Sequence, residues 1–181
     1  MSSRILVDEI YSKTGNTSAL TIDSSGFVKA TQCHFHGRLA SNQDITRATT
    51  TKVTGMTTNE LDSHSAFDGT TFTVPSGQEG IYLVTGNVFF DFSNAGNDGE
   101  IAEFYFRKNG TEVYRFGRSF NTGAKKMQQI IESGVGMLSL AAGDTLELYV
   151  YMADDSASGT LRLLSGTQYG TAFGAVRIGA A

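Results

Sequence analysis

The side chains best suited to chemistry in this chain are the imidazoles of His34 and His36, which flank Phe35. Side chains alternate along an extended strand, so a strand here places both imidazoles on one face and Phe35 on the other. Imidazole nitrogens are common ligands of transition metals. Two interpretations stay open: a metal site completed by ligands from other copies of the chain, or histidines that are exposed or lie at an interface.

Two other groups of polar residues could also do chemistry. The sequence Asp62-Ser63-His64 holds the residue types of a hydrolytic triad, but a triad is a spatial arrangement that adjacency in a loop does not supply. Four loop carboxylates could bind calcium or could be solvated loop charges: Asp98, Glu100, Asp154 and Asp155. Nucleophile-elbow, zinc-protease and phosphate-loop motifs are missing from the sequence. We therefore expect no enzymatic activity, no catalytic residue and no cofactor.

Long strands must position these groups, and the clearest strand runs through residues 82–92. Large side chains occupy one face of it at alternate positions: Tyr82, Val84, Val88, Phe90 and Phe92. Gly86 lies on the same face and leaves a gap that a neighbour can fill. Pro75, the only proline of the chain, precedes this strand with Gly77 and Gly80 and predicts a turn. The pattern indicates the core of a β-sandwich.

The rest of the sequence also favours strands. Three apolar groups are predicted to share strand faces: Ala102, Phe104 and Phe106; Leu146, Leu148, Val150 and Met152; and Ala172, Val176 and Ile178. The dipeptide Asn109-Gly110 predicts a hairpin turn, because both residues tolerate a positive φ. Residues 124–132 could form either a short helix or the start of a strand.

Composition excludes several classes of protein. The chain has 181 residues, a net charge of −4 and no large basic cluster, so we expect no nucleic-acid binding. No apolar run approaches the ~18 residues of a membrane span, and the N-terminus does not resemble a signal peptide. Cys33 is the only cysteine and has no partner for an internal disulfide. These features favour assembly in a reducing cytoplasm without membrane insertion.

Residues 1–31 differ from the rest and form a predicted arm before a β domain at residues 32–181. Residues 5–7 and 20–22 are short extended candidates separated by a turn signal. Two short strands bury little apolar surface alone, so the arm should order against a sister chain or a larger assembly. The candidate anchoring residues are Ile5, Leu6, Val7, Ile10 and Tyr11.

Three segments of the β domain resemble the C1q/TNF-like jelly-roll family. Residues 72–82 resemble its Phe-x-x-Pro-x-x-Gly-x-Tyr motif, with Gly80 and Tyr82 arriving two residues late. Residues 134–148 resemble its small-residue strand, Gly-Asp turn and following strand, and residues 173–178 resemble its closing strand. The resemblance implies an all-β jelly-roll sandwich that forms a homotrimer. At a threefold axis, three copies of His34 and His36 would supply enough imidazoles for an octahedral metal.

The resemblance also bears on the tyrosines. Tyr149 and Tyr151 oppose the apolar face of their strand, so they either meet a partner chain or lie exposed. In a trimer of this family the inner sheets pack against each other, which implies that the two tyrosines form the trimer interface. Tyrosine suits an interface because it buries a large ring and keeps a polar tip. Exposed tyrosines could instead stack on the sugar rings of a host glycan.

The arm carries a second resemblance. Residues 4–11, 14–16 and 25–30 resemble the lead-in of structural proteins from tailed phages of marine and freshwater bacteria, several of which place such an arm before a C1q-like domain. The resemblance implies a homotrimeric virion structural protein that decorates or cements the head and contacts a major capsid or tail protein. The alternative is a tail-fibre or tail-associated knob that recognises host surface polysaccharide. An enzyme degrading that polysaccharide would need paired carboxylates, which have no recognisable context here.

Overall fold

The computed structural model describes residues 9–11, 18–22, 24–25, 28–30, 32–57, 61–95, 99–118, 128–154, 159–166 and 170–180. The chain divides into two compact units, residues 1–32 and 33–181. In the first unit the described segments form an antiparallel sheet in the order β1 (Glu9–Tyr11), β2 (Ser18–Ile22) and β3 (Val28–Ala30). The predicted anchoring residues Ile10 and Tyr11 lie in β1, and Ile5, Leu6 and Val7 lie outside the described residues.

Strands dominate the described part of the second unit. In chain order they are β4 (His34–Leu39), β5 (Gln43–Ile45), β6 (Thr51–Lys52), β7 (Met56–Thr57), β8 (Thr71–Thr73), β9 (Gly80–Asp91), β10 (Gly99–Lys108), β11 (Thr111–Gly117), β12 (Gln129–Leu140), β13 (Thr145–Asp154), β14 (Leu161–Leu163) and β15 (Ala172–Gly179). A 3-10 turn at Ser93–Ala95 follows β9. Within the described segments, no helix is long and apolar enough to cross a membrane.

The strands of the second unit form two antiparallel sheets. Sheet I has the order β11-β10-β13-β6, with β8 also paired to β13. Sheet II has the order β5-β14-β9-β15-β4-β7, with β12 also paired to β9. The sequence prediction of an all-β sandwich is therefore confirmed.

The core lies between the two sheets and follows the predicted period of two. Val84, Val88 and Phe90 of β9 are fully buried, as are Phe104 and Phe106 of β10. A Cβ atom at Gly86 would lie 2.8 Å from a ring atom of Phe104 and 2.9 Å from one of Phe106. The two phenylalanine rings of sheet I therefore fill the gap that glycine leaves in sheet II, as the sequence pattern predicts.

The predicted hairpin turn joins β10 to β11. Asn109 and Gly110 have φ values of 51° and 78°, which is the pair of positive angles that a two-residue hairpin needs. The Asn109 side chain also donates to a carboxylate oxygen of Asp144 at 2.7 Å and accepts from the backbone N–H of Thr145 at 2.8 Å. Asn109 thus stabilises its own turn and links the turn to the start of β13.

Strand β12 resolves part of the ambiguity at residues 124–132. Residues 129–132 are strand, and residues 124–127 lie outside the described residues. Its two glycines have a packing role, because a Cβ at Gly134 would lie 2.4 Å from the Phe116 ring and one at Gly136 would lie 2.6 Å from the Tyr114 ring. Close approach of aromatic rings from β11 therefore accounts for the glycine pair.

The last strand buries one of its two faces. Phe173 and Ala175 form the core face of β15. Ala172, Val176 and Ile178 share the opposite face, as the sequence predicts, and that face lies outside the core, with Val176 half-buried and Ile178 48% exposed. Phe173 packs edge-on against Phe35, with their ring centroids 5.1 Å apart.

Candidate functional site

The outward face of sheet II carries two rows of side chains across four strands. Residues directly opposite each other on paired strands lie side by side on the same face. The rows run from β12 through β9 and β15 to β4: Met137–Leu83–Val176–His34 and Val135–Thr85–Gly174–His36. They combine apolar side chains at the β12 end with imidazoles at the β4 end.

Much of this face is exposed and apolar. Met137 is 60% exposed and Val135 59%, and Ile131 on the same side of β12 is 44% exposed. Leu61, whose carbonyl accepts from the His36 N–H at 2.8 Å, is 49% exposed at the β4 end. We call Leu61, Ile131, Val135 and Met137, with the two rows between them, the apolar face. A group of exposed apolar side chains marks an interaction surface, because isolated soluble domains rarely leave such patches uncovered.

The structure places His34 and His36 on the apolar face and Phe35 in the core, as strand alternation predicts. Both imidazoles border a shallow pocket of about 260 Å³ that Leu61 and Leu83 also line. Burial, with a smaller effect from the Arg38 charge, lowers the pKa of His36 below its ordinary value. Among the described residues, no three His, Cys, Asp or Glu side chains cluster around a metal position. The metal site shared between copies stays a prediction.

Tyr149 and Tyr151 lie on the outward face of sheet I. The guanidinium carbon of Arg107 lies 4.1 Å from the ring centroid of Tyr149, a cation–π contact. Tyr151 lines a pocket beside Glu103, its directly paired neighbour on β10. The two tyrosines are thus on the opposite side of the sandwich from the apolar face. Their predicted role in a trimer interface is untested, and an interface through the apolar face of sheet II would leave both tyrosines uncovered.

A buried carboxylate lies at the centre of this tyrosine-bearing face. Glu103 is 3% exposed. One of its carboxylate oxygens accepts from the Tyr105 hydroxyl at 2.8 Å and from Arg115 at 3.3 Å, and the other forms an ion pair with Arg118 at 3.2 Å. We call Glu103, Tyr105, Arg115 and Arg118 the Glu103 cluster. Burial, and then the hydrogen bond to Glu103, raises the pKa of Tyr105 above its ordinary value.

An unusual backbone turn brings Arg118 to Glu103. At the end of β11, Gly117 has a φ of 75° and Arg118 a φ of 119°. A Cβ at Gly117 would lie 2.9 Å from the carbonyl oxygen of Ala102, so only glycine fits this approach without a shift. The Arg118 N–H donates to the same carbonyl at 3.1 Å. A φ near 119° is strained for a residue with a Cβ atom, and such strain concentrates at functional sites.

The triad-like sequence is positioned by a turn. The Ser63 hydroxyl and the Nδ1 atom of His64 are 2.7 Å apart. The carboxylate of Asp62 accepts from the backbone N–H groups of Ala66 at 2.9 Å and Phe67 at 3.1 Å, which fixes the turn. These amide contacts give Asp62 a structural role.

Two of the four proposed calcium ligands are described, and they lie at the paired ends of neighbouring strands: Glu100 is next to Gly99, which pairs with Asp154. The calcium site stays a prediction. Asp154 forms an ion pair with Arg47, which neutralises its charge. Glu100 lies near the start of β10, and Asp98 and Asp155 lie outside the described residues.

Comparisons with known proteins address the fold. No protein-family model matches the chain, and no curated protein sequence matches it. Among solved structures, the chain is similar to Eiger TNF from S. frugiperda (TM-score 0.60, 14% identity, 83% of this chain and 93% of that chain covered). It is also similar to murine APRIL (TM-score 0.57, 16% identity, 81% of this chain and 99% of that chain covered). A third similar structure is the globular domain of the zebrafish complement 1qA protein (TM-score 0.57, 15% identity, 82% of this chain and 99% of that chain covered). The C1q/TNF-like jelly roll predicted from the sequence is therefore confirmed.

Proposed function

We propose that three copies of this chain assemble through the apolar face of sheet II, and that the homotrimer is a structural protein on the surface of a tailed-phage virion. The observation that carries the self-association is the apolar face itself, above all Val135 and Met137. Burying a whole aliphatic side chain contributes about 1.5–3 kcal/mol. Covering the exposed three-fifths of these two side chains would therefore contribute about 1–2 kcal/mol each in every subunit.

A charge-insertion experiment tests the self-association. Val135→Glu and Met137→Glu together place two carboxylates in the proposed interface, where burying unpaired charges costs several kcal/mol. The control is Thr111→Glu, an exposed position on β11 of sheet I that gains the same type of charge away from the face. Sedimentation velocity should report a single subunit for the double variant and a trimer for the control. A double variant that remains trimeric would exclude this face as the interface.

The virion role draws on the arm. Its resemblance to the lead-in of phage structural proteins supports an anchoring segment in residues 1–31, which would pair with or wedge into a neighbouring virion protein. Within the virion, the proposed role is that of a head decoration or cement protein. We propose that it is assembled in the bacterial cytoplasm, is not an enzyme, and neither binds nucleic acid nor enters a membrane.

Two measurements test the virion role. Quantitative mass spectrometry of purified particles should find hundreds of copies for a head protein and few for a tail protein. Deleting residues 1–31 should leave a soluble trimer that no longer attaches to particles lacking the native protein. Normal attachment of the truncated protein would contradict the anchor assignment.

A tail-associated knob that recognises host polysaccharide is the second candidate. The pocket beside Glu103 and Tyr151 favours it, because polar and aromatic groups converge there on a face that the proposed trimer leaves open. Binding of the protein to host cells, with competition by extracted lipopolysaccharide, tests this candidate. Absence of cell binding at saturating protein would count against it.

A further inference from the structure

A concave pocket of about 270 Å³ lies on the outward face of sheet I, over the Glu103 cluster. Tyr151 and Ile101 supply its apolar wall, and Thr50 completes the rim. The described lining residues belong to sheet I or to segments next to it, so self-association through sheet II would leave the pocket open.

The buried carboxylate at the pocket floor is costly for the fold. Glutamate is rarely buried unless it is paired, and replacing a buried ion pair with apolar groups is often neutral or stabilising. Here three donors compensate Glu103, and one of them, Arg118, is held by a strained backbone. A costly, strained polar cluster in a pocket indicates a binding function more than a contribution to stability.

The cluster retains hydrogen-bonding capacity toward the pocket. A carboxylate offers about four acceptor positions, and the contacts to Tyr105, Arg115 and Arg118 use three of them. A guanidinium has about five N–H groups. Within the described residues, Arg115 uses three of these, one toward Glu103 and two toward Glu112 at 2.9 and 3.0 Å. One planar acceptor and one planar donor thus lie next to each other with positions left for a ligand.

The charges around the pocket favour a neutral ligand. The guanidiniums of Arg115 and Arg118 are matched by the carboxylates of Glu103 and Glu112. An anion would compete with these carboxylates for the guanidiniums, whereas a hydroxyl group can donate to Glu103 and accept from Arg115 at once. A pocket of this size lies below the ~300–1,000 Å³ of sites for drug-sized ligands, and suits a single ring.

We propose that this pocket binds one neutral hexose unit of a glycan, with sugar hydroxyls bonded to the Glu103 cluster and the C–H face of the ring against Tyr151. The proposal supplies a ligand class and a site for the polysaccharide-recognition candidate above. It holds for the isolated chain as well as for a trimer.

The test measures binding of the full chain to polyacrylamide conjugates of galactose, glucose, mannose and N-acetylglucosamine by biolayer interferometry. At least one conjugate should bind, and the free sugar should compete. Tyr151→Ala removes the aromatic side chain against which the sugar is proposed to pack. Tyr149→Ala is the matched control, because Tyr149 lies on the same strand and face but outside the pocket lining. We expect Tyr151→Ala to weaken binding at least about tenfold and Tyr149→Ala to change it less than about twofold.

A second variant keeps the test decisive if Tyr151→Ala fails to fold. Arg118→Gln removes an exposed guanidinium at the pocket and should weaken binding by a similar factor. The proposal would be overturned if no neutral conjugate bound, or if only glucuronate or phosphate conjugates bound. It would also be overturned if Tyr151→Ala and Arg118→Gln both left binding unchanged. Sedimentation of the same samples distinguishes a failure of the sugar site from a failure of the proposed trimer. Tyr149→Ala and Tyr151→Ala should both keep the native mass, whatever their effect on sugar binding.

Discussion

Replacing Gly86 with alanine tests how the two sheets pack together. A Cβ at this position would lie 2.8, 2.9 and 3.0 Å from three ring atoms of Phe104 and Phe106. Carbon atoms pack at about 3.5–4.0 Å, so the rings must move by roughly half an ångström or more. Neither ring has open space to move into, because each packs on another ring. The ring centroids of Phe104 and Phe116 are 5.0 Å apart, and those of Phe106 and Phe173 are 5.7 Å apart.

The expected cost combines two effects. Forcing an extra methyl group into a well-packed core costs about 1–3 kcal/mol. Alanine also restricts the unfolded chain, which stabilises the fold by about 0.4–1 kcal/mol. We therefore expect a net loss of about 0–2.6 kcal/mol in the free energy of unfolding, or about 1.3 kcal/mol at the middle of both ranges, measured by urea denaturation at a fixed protein concentration.

A matched variant and a double variant check this reasoning. Gly179→Ala places its Cβ where no atom lies within 4 Å, so only the effect on the unfolded chain remains and this variant should be about 0.4–1 kcal/mol more stable than native. Trimming the ring in a Gly86→Ala/Phe106→Leu double variant should cost less than the two single changes added together, because both act on one contact. Strict additivity, or a Gly86→Ala protein more stable than native, would refute the packing argument.

Three further predictions follow from charges and segment boundaries. The hydrogen bond from Lys108 is the main cause that lowers the pKa of Asp144 from 3.8 to about 2. The stability that the ionised Asp144 contributes is complete above pH 3.8 and is lost as the pH falls toward 2. Asp144→Asn should therefore flatten the acid limb of a curve of unfolding free energy against pH. Burial, and to a smaller extent the charge of Arg38, lowers the pKa of His36 from its ordinary value of 6.5. The free energy of unfolding should therefore decrease as the pH drops below 6.5. His36→Gln should remove part of this pH dependence, measured by urea titrations at several pH values. A protein of residues 32–181 should give a cooperative thermal transition; loss of that transition would show that the β domain needs the arm.

The strand pattern could be predicted because one face of each long strand is buried. Val84, Phe90 and Phe104 occupy alternate positions, and alternation alone assigns them to the core. The Asn109-Gly110 turn is equally local, since its positive φ values restrict which residues fit. In strand β15 alternation predicts which residues share a face, but contacts of Phe173 with distant rings decide which of the two faces is buried.

The functional surfaces depend on which strands become neighbours. Alternation places Tyr149 and Tyr151 on an outward face, but the pairing of strands decides that the exposed apolar face lies on the other sheet. The Glu103 cluster joins β10 to the end of β11 through a bend at Gly117. No motif in the sequence predicts that bend. The available signal was Glu103 itself, a carboxylate at an outward position between Ile101 and Tyr105.

The mass of the native protein in solution tests the central claim most directly. Sedimentation equilibrium of the full chain at micromolar concentration should report three times the 19.4 kDa of one chain. Coverage of the apolar face of sheet II by two further copies requires that result. A stable particle with the mass of a single chain would contradict it.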